Sequence, residues 1–203
     1  MSQRPAWQAV REQGAKVFVA GSRENFDAMG DLLDVLVWSG VPDKVQAAKW
    51  HDVGQRIFDY ANPQVGVESP EINRRNFGFT LWKANYDGAM TWEYQSSASQ
   101  GLWHDFNCDR RTVAFALPTA DGLIDTIGWE GYREGIDDIR YGSTLLLAIE
   151  HARQRDHAPM SRTADQARRF LEELDQYDQL DVVRAKIIQY ILALQAQAQD
   201  GSK

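Results

Sequence analysis

Residues 16–60 read, in succession, KVFVA, GSRENFDAMGDLL, DVLVW, SGVPDKVQAAKWHDVGQ and RIFDY. The first, third and fifth pieces are short runs rich in Val, Ile, Phe and Trp, bounded by Gly, Ser or Asp, which is strand composition. The pieces between them space their apolar residues as helices do, over residues 24–32 and 43–53. Strand, helix, strand, helix, strand is the order of parallel neighbours, because a parallel pair needs a long crossover and the crossover helix must cover a face of the sheet.

The pattern continues downstream. A helix is expected over residues 69–85, opening with Ser69-Pro70-Glu71, an N-cap residue followed by proline in the first turn. A fourth strand, AMTWEY, spans 89–94, and residues 3–14 supply a helix before the first strand. The connection 95–126 holds Gly, Pro, Asn and several aromatics; a loop of that length in a compact domain is usually functional or disordered, and the aromatics favour function. Trp129, Tyr132, Ile136, Ile139, Leu145, Leu146 and Ile149 mark a long helix over 129–153. Segments 162–177 and 180–198, rich in Ala, Gln, Arg and Leu, read as a C-terminal helical hairpin. The expected division is 1–153 for the α/β part and 154–203 for the hairpin.

Composition narrows the classes. The chain has 203 residues, 43% hydrophobic and 25% charged, with a net charge of −7. An acidic balance lacks the Lys and Arg surplus that phosphate backbones require, so nucleic acid is not an expected partner. No apolar window approaches the ~18 residues of a membrane span, and the first residues lack the apolar core of a secretion signal, so neither a membrane nor export is expected of the sequence as it stands. Its expected place is the cytoplasm, although a longer parent protein is compatible with secretion or a cell surface. The single cysteine, Cys108, excludes an internal disulfide, and with His104 it offers too few ligands for zinc. His51, His104, His151 and His157 are scattered, so no metal is expected. No glycine-rich nucleotide loop and no Gly-x-Ser-x-Gly occurs, so no cofactor is expected.

Ligands of parallel α/β sheets bind at the C-terminal ends of the strands. Here those ends carry Trp38, Tyr60, Asn62, Trp92, Tyr94 and Gln95, followed in the long connection by Trp103 and Asp105. Aromatic faces beside amides and carboxylates suit a sugar, whose C–H patches stack and whose hydroxyls hydrogen-bond. Large aromatics at strand ends also serve as core residues with one satisfied polar tip. Along the fourth strand Thr91, Glu93 and Gln95 share one side and Trp92 and Tyr94 the other. If the first set faces the mouth, Glu93 is a half-buried acid able to act as general acid or to bind a hydroxyl; if not, it pairs with a basic residue of a helix. Asp105 either binds a hydroxyl or caps its loop. Arg133, Asp137 and Arg140 are spaced for ion pairs along one helix.

Four blocks carry a family likeness: Val19-Ala-Gly-Ser-Arg-Glu-Asn-Phe26, Tyr60-Ala-Asn-Pro-Gln64, the run from Arg75-Asn-Phe-Gly to Tyr86-Asp-Gly-Ala89, and Trp129-Glu-Gly-Tyr-Arg-Glu-Gly-Ile-Asp-Asp-Ile-Arg-Tyr141. Over residues 16–150 the chain resembles the C-terminal part of the catalytic domain of glycoside hydrolase family 123-like proteins. The resemblance implies a partial (β/α)8 TIM barrel, the last four β/α units, followed by C-terminal helices. It also implies action on hexosaminides, including β-linked N-acetylgalactosamine, with the substrate's 2-acetamido group as nucleophile. In that family an adjacent Asp-Glu pair earlier in the barrel orients the acetamido group and protonates the leaving oxygen. The 203 residues contain no Asp-Glu. The chain is therefore expected to contribute sugar-binding residues, with Glu93 as the remaining candidate acid. A half barrel leaves its outer strands open, so the expected partners are a carbohydrate and either an N-terminal half barrel or a second copy. A non-catalytic carbohydrate-binding or self-associating module is the alternative, and an unrelated α/β enzyme using Glu93 or Asp105 is a third.

Overall fold

Val, Phe, Leu and Trp at the expected runs do form strands: β1 is Phe18–Gly21, β2 Val35–Trp38 and β3 Arg56–Asp59. The computed structural model describes residues 3–60, 69–91, 94–95, 115–154, 158–175 and 178–200. Helix α1 (Arg4–Glu12) precedes β1, and α2 (Glu24–Met29) and α3 (Lys44–Asp52) lie between the strands. Asp43 caps α3, its side chain accepting the Val45 N–H at 2.8 Å. The helix expected over 69–85 is interrupted: α4 (Pro70–Arg75) passes into a π-helical turn, Asn76–Thr80, and then α5 (Leu81–Lys83). Gly78, at φ −104° and ψ −116°, breaks the helix where its backbone lies against Gly135.

The fourth strand is shorter than the sequence suggests. β4 is Gly88–Ala89, paired with Phe58 and Asp59; Met90 N–H still donates to Asp59 O at 2.8 Å. Farther on, Tyr94 C=O accepts from Phe115 and Ala116 N–H instead. The long connection also contains a hairpin that composition did not announce, β5 (Ala116–Pro118) antiparallel to β6 (Leu123–Asp125). Three-residue strands, one ending in proline, are too short to show alternation.

β1, β2, β3 and β4 lie side by side in that order, all parallel, so the molecule is an α/β protein with a four-stranded parallel sheet. Such a sequential order with right-handed crossovers puts every connecting helix on one face. That face holds the core: Leu36, Trp38 and Ile57 pack with Leu33, Ala47, Trp50, Phe77, Leu81 and Tyr86. Phe26 meets Trp50 edge to face at 5.1 Å.

Two aspartates repeat one device at the N-terminal ends of the strands. Asp34 N–H donates to Val17 O, and Val17 N–H donates back to its carboxylate at 2.7 Å. Asp87 N–H donates to Ile57 O, and Ile57 N–H returns to its carboxylate at 2.9 Å. Each closes a ring that fixes the register of a parallel pair, β1 with β2 and β3 with β4. A charged acceptor on a buried N–H contributes about 1.5–3 kcal/mol. Asp34→Ala and Asp87→Ala should each lower the unfolding free energy by about that much, read in urea as a lower midpoint at constant slope. Two strand spacings separate the rings, roughly 10 Å, so the double variant should lose the sum to within about 0.5 kcal/mol. Additivity failing by more than that would mean the rings are one unit.

The chain divides into two compact units, Met1–Gly135 and Ile136–Lys203. Helix α6 (Ile127–Arg153) has residues in both, and α7 (Ala158–Glu173) and α8 (Leu180–Asp200) complete the second. Their buried stripes have helical period: Ala164, Ala167, Leu171 and Leu174 on α7, and Leu180, Val183, Ile187, Ile191 and Leu194 on α8; Leu145, Ile149 and Ala152 are buried on α6. Among the described residues no helix is long and apolar enough to cross a membrane.

Candidate functional site

Side chains alternate along a strand, and residues in register on parallel neighbours share a face. Register pairs Val19 with Leu36 and Ile57, and Gly21 with Trp38, Asp59 and Ala89, on the core face. The opposite face carries Phe18, Ala20, Val37, Phe58, Tyr60 and Met90. It is largely apolar and partly open, with Phe18 52% exposed and Arg56 in register with Val35 at its N-terminal edge. A Cβ at Gly88 would sit 2.8 Å from the Phe58 ring, so a side chain there would have to push that ring aside.

On this open face lies a cavity of about 220 Å³, lined by Phe18, Ala20, Val37, Tyr60, Met90 and Thr91. Tyr60 and Thr91 are its polar members, and both come from the C-terminal ends of their strands. Tyr60 is half-buried, and its backbone N–H donates to Trp38 O at 3.1 Å. Trp38 does not join it. Its indole is buried on the core face, with Nε1–H donating to Val41 O at 3.1 Å. Register places Trp38 opposite Asp59, one residue before Tyr60, and hence on the other side of the sheet from the cavity.

Tyr94 and Gln95 lie beyond β4 and are exposed. The Tyr94 ring stands perpendicular to Trp129 at 6.2 Å, and Trp129 stacks on Tyr132 at 5.7 Å with 11° between planes. Asn62, Trp92, Glu93, Trp103 and Asp105 fall outside the described residues. Of the ion pairs expected on α6, Arg133 with Asp137 and Asp137 with Arg140, the second is formed at 2.9 Å, and Arg133 also meets Glu130 and Glu134, which were not expected. Among the described residues no group of three His, Cys, Asp or Glu is placed to hold a metal ion.

Sequence reading passed over Asp59, which is fully buried at the C-terminal end of β3 on the core side. Its alternation with Ile57 was the available signal. Tyr86, whose hydroxyl accepts the Asp43 N–H at 3.1 Å, has its phenol pKa raised by burial and further by the charges of Asp59 and Asp43. Burial also raises Tyr132. Below pH about 10, the unfolded value, both phenols are protonated in either state and their contribution is fully present. Above it the unfolded chain sheds these protons first, so stability falls as pH rises toward the folded values. A titration at 295 nm should therefore show at least two of the seven tyrosines ionising later than free tyrosine and together with unfolding. Seven equivalent ionisations near pH 10 would contradict the burial of both rings.

At the opposite end of the sheet His51 Nε2 lies 2.9 Å from Asp87 Oδ2, and Asn85 Nδ2 lies 3.2 Å from His51 Nδ1. An Asn85 amide donor makes Nδ1 the acceptor and leaves the proton on Nε2, directed at Asp87. This group ties α3 to the start of β4, at the end of the strands away from the cavity.

No protein-family model and no curated protein matches the chain.

Proposed function

We propose that the chain is half of a (β/α)8 barrel akin to the glycoside hydrolase family 123-like proteins, and that it binds the sugar of a hexosaminide without cleaving it alone. The open face of the sheet carries this reading. In a barrel the helices lie outside and the inward face is filled by bulky and branched side chains in layers, which is what Phe18, Val37 and Phe58 supply. At the C-terminal mouth of such a barrel stand the ligand contacts, and Tyr60 and Thr91 stand there over the cavity. About 220 Å³ is below the ~300–1,000 Å³ of a drug-sized pocket and suits one small ring. The sequence holds no Asp-Glu pair, so turnover needs acids that another β/α half would bring. The exposure of Phe18 also favours a second copy on the same face, as in a self-associating module.

Calorimetry with methyl N-acetyl-β-galactosaminide, beside an assay of a chromogenic N-acetyl-β-galactosaminide, tests the reading. Saturable binding without turnover is expected. Tyr60→Ala should weaken binding at least about tenfold, the loss of roughly 1.4 kcal/mol of contact. Trp38→Phe should leave affinity unchanged because the indole lies in the core. Turnover by the chain alone, or binding indifferent to Tyr60, would overturn the proposal.

A further inference from the structure

We propose that Trp129 is the residue that holds Tyr94 as a stacking platform for a pyranose ring, an inference that rests on the carbohydrate reading above. Tyr94 is 47% exposed, yet it is held on two sides. Its C=O accepts the N–H groups of Phe115 and Ala116 at 2.9 and 3.0 Å, which fixes the backbone. Its ring stands at 87° to Trp129 with centroids 6.2 Å apart, a favoured edge-to-face geometry. In either sense of a perpendicular contact, at least one face of Tyr94 stays clear of Trp129.

Trp129 is itself packed among other rings. One side stacks on Tyr132, and Phe115 leans on it at 5.6 Å. Trp129 N–H donates to Thr126 Oγ1, whose hydroxyl donates to Phe115 O. Tyr132 hydroxyl donates to Ala89 O at 3.2 Å, so the aromatic stack ends on β4. The sheet thus positions an exposed ring through Trp129 and Tyr132. Thr91, which lines the cavity, precedes Tyr94 by three residues, and chain geometry keeps their Cα atoms within about 11 Å. An exposed aromatic face at that distance from a one-ring cavity fits the apolar C–H side of an N-acetylhexosaminide, whose weakly positive C–H groups meet the negative π face. Trp129 is a positioning residue: it lowers the entropy lost when Tyr94 is immobilised by ligand.

The test is a double-mutant cycle in affinity for methyl N-acetyl-β-galactosaminide, with the urea midpoint of every variant measured. Trp129→Leu fills volume without a ring and should weaken binding about threefold to tenfold, the ordering cost of one side chain expressed as affinity. Trp129→Phe, which keeps an aromatic partner, should restore most of it. Tyr94→Ala should weaken binding at least as much as Trp129→Leu, and the double variant Tyr94→Ala/Trp129→Leu no more than Tyr94→Ala alone. A merely structural Trp129 would make the two losses add, and additivity overturns the inference. Binding by the wild type that Trp129→Leu retains in full overturns the inference alone. Absence of binding by the wild type overturns the carbohydrate reading and the inference with it.

Discussion

Gly131→Ala is expected to lower stability by about 3 kcal/mol, although alanine is the better helix former by about 1 kcal/mol. The added Cβ would stand 2.1 Å from Pro70 O and 2.7 Å from Pro70 Cα, both backbone atoms of α4. Backbone cannot swing aside as a flexible side-chain end does, so α4 and α6 must separate, and the clash outweighs the propensity gain. One turn on, Gly135 repeats the contact: its Cβ would lie 2.6 Å from Arg74 O and 3.1 Å from Gly78 N. Pro70, Arg74 and Gly78, four residues apart on one segment, therefore face Gly131 and Gly135, four apart on the other. Gly122→Ala is the control, because nothing lies within 4 Å of its Cβ, and it should change stability by less than about 1 kcal/mol. Urea unfolding of the two variants measures the difference. Equal midpoints would mean that the helices do not cross this closely. Tyr132 follows Gly131 directly, so the separation should also disturb the stack of Trp129 on Tyr132.

The elements were legible where a run was long or strongly patterned. β1, β2, β3, α1, α3, α6 and α8 fall within a few residues of the expected ranges, because apolar period and caps are local properties. What failed depends on distant partners. A local pattern predicts one helix over 69–85, but Gly78 meets Gly135, 57 residues away in sequence, and the helix breaks into a π turn there. The hairpin of β5 and β6 is held by ladder pairs between strands of three residues, below the length at which alternation shows. At the site the difficulty was register. Trp38 and Tyr60 both end apolar runs and look alike in sequence, yet pairing of Trp38 with Asp59 sets them on opposite faces. One residue of offset sends the first into the core and the second to the cavity. The same offset buries Asp59. Which face of a sheet is open is decided by where the helices go, and the run alone does not hold that information.

Arg184→Met is expected to cost the second unit about 3–5 kcal/mol, and Asp138→Leu distinctly less, although the two residues form one ion pair. Arg184 Nε–H donates to Asp138 Oδ1 at 2.6 Å, and the side chains are 21% and 1% exposed respectively. That asymmetry in burial decides the order. Losing the guanidinium leaves a carboxylate locked away from water with its charge uncompensated by Arg184. Losing the carboxylate leaves a guanidinium that already reaches solvent, on a flexible stem lying over the Tyr141 ring at 5.5 Å. It can turn outward and keep the ring contact. The double variant Asp138→Leu/Arg184→Met should then recover most of the loss, because two apolar side chains fill the site and no charge remains to desolvate. Thermal unfolding at neutral pH checks all three. If Asp138→Leu proved the worse single change, the stability of the pair would lie in what Asp138 does for α6 rather than in shielding its charge. If the double variant were as unstable as Arg184→Met, the pair would be holding α8 in register against α6 by its geometry, and hydrophobic filling would not replace it.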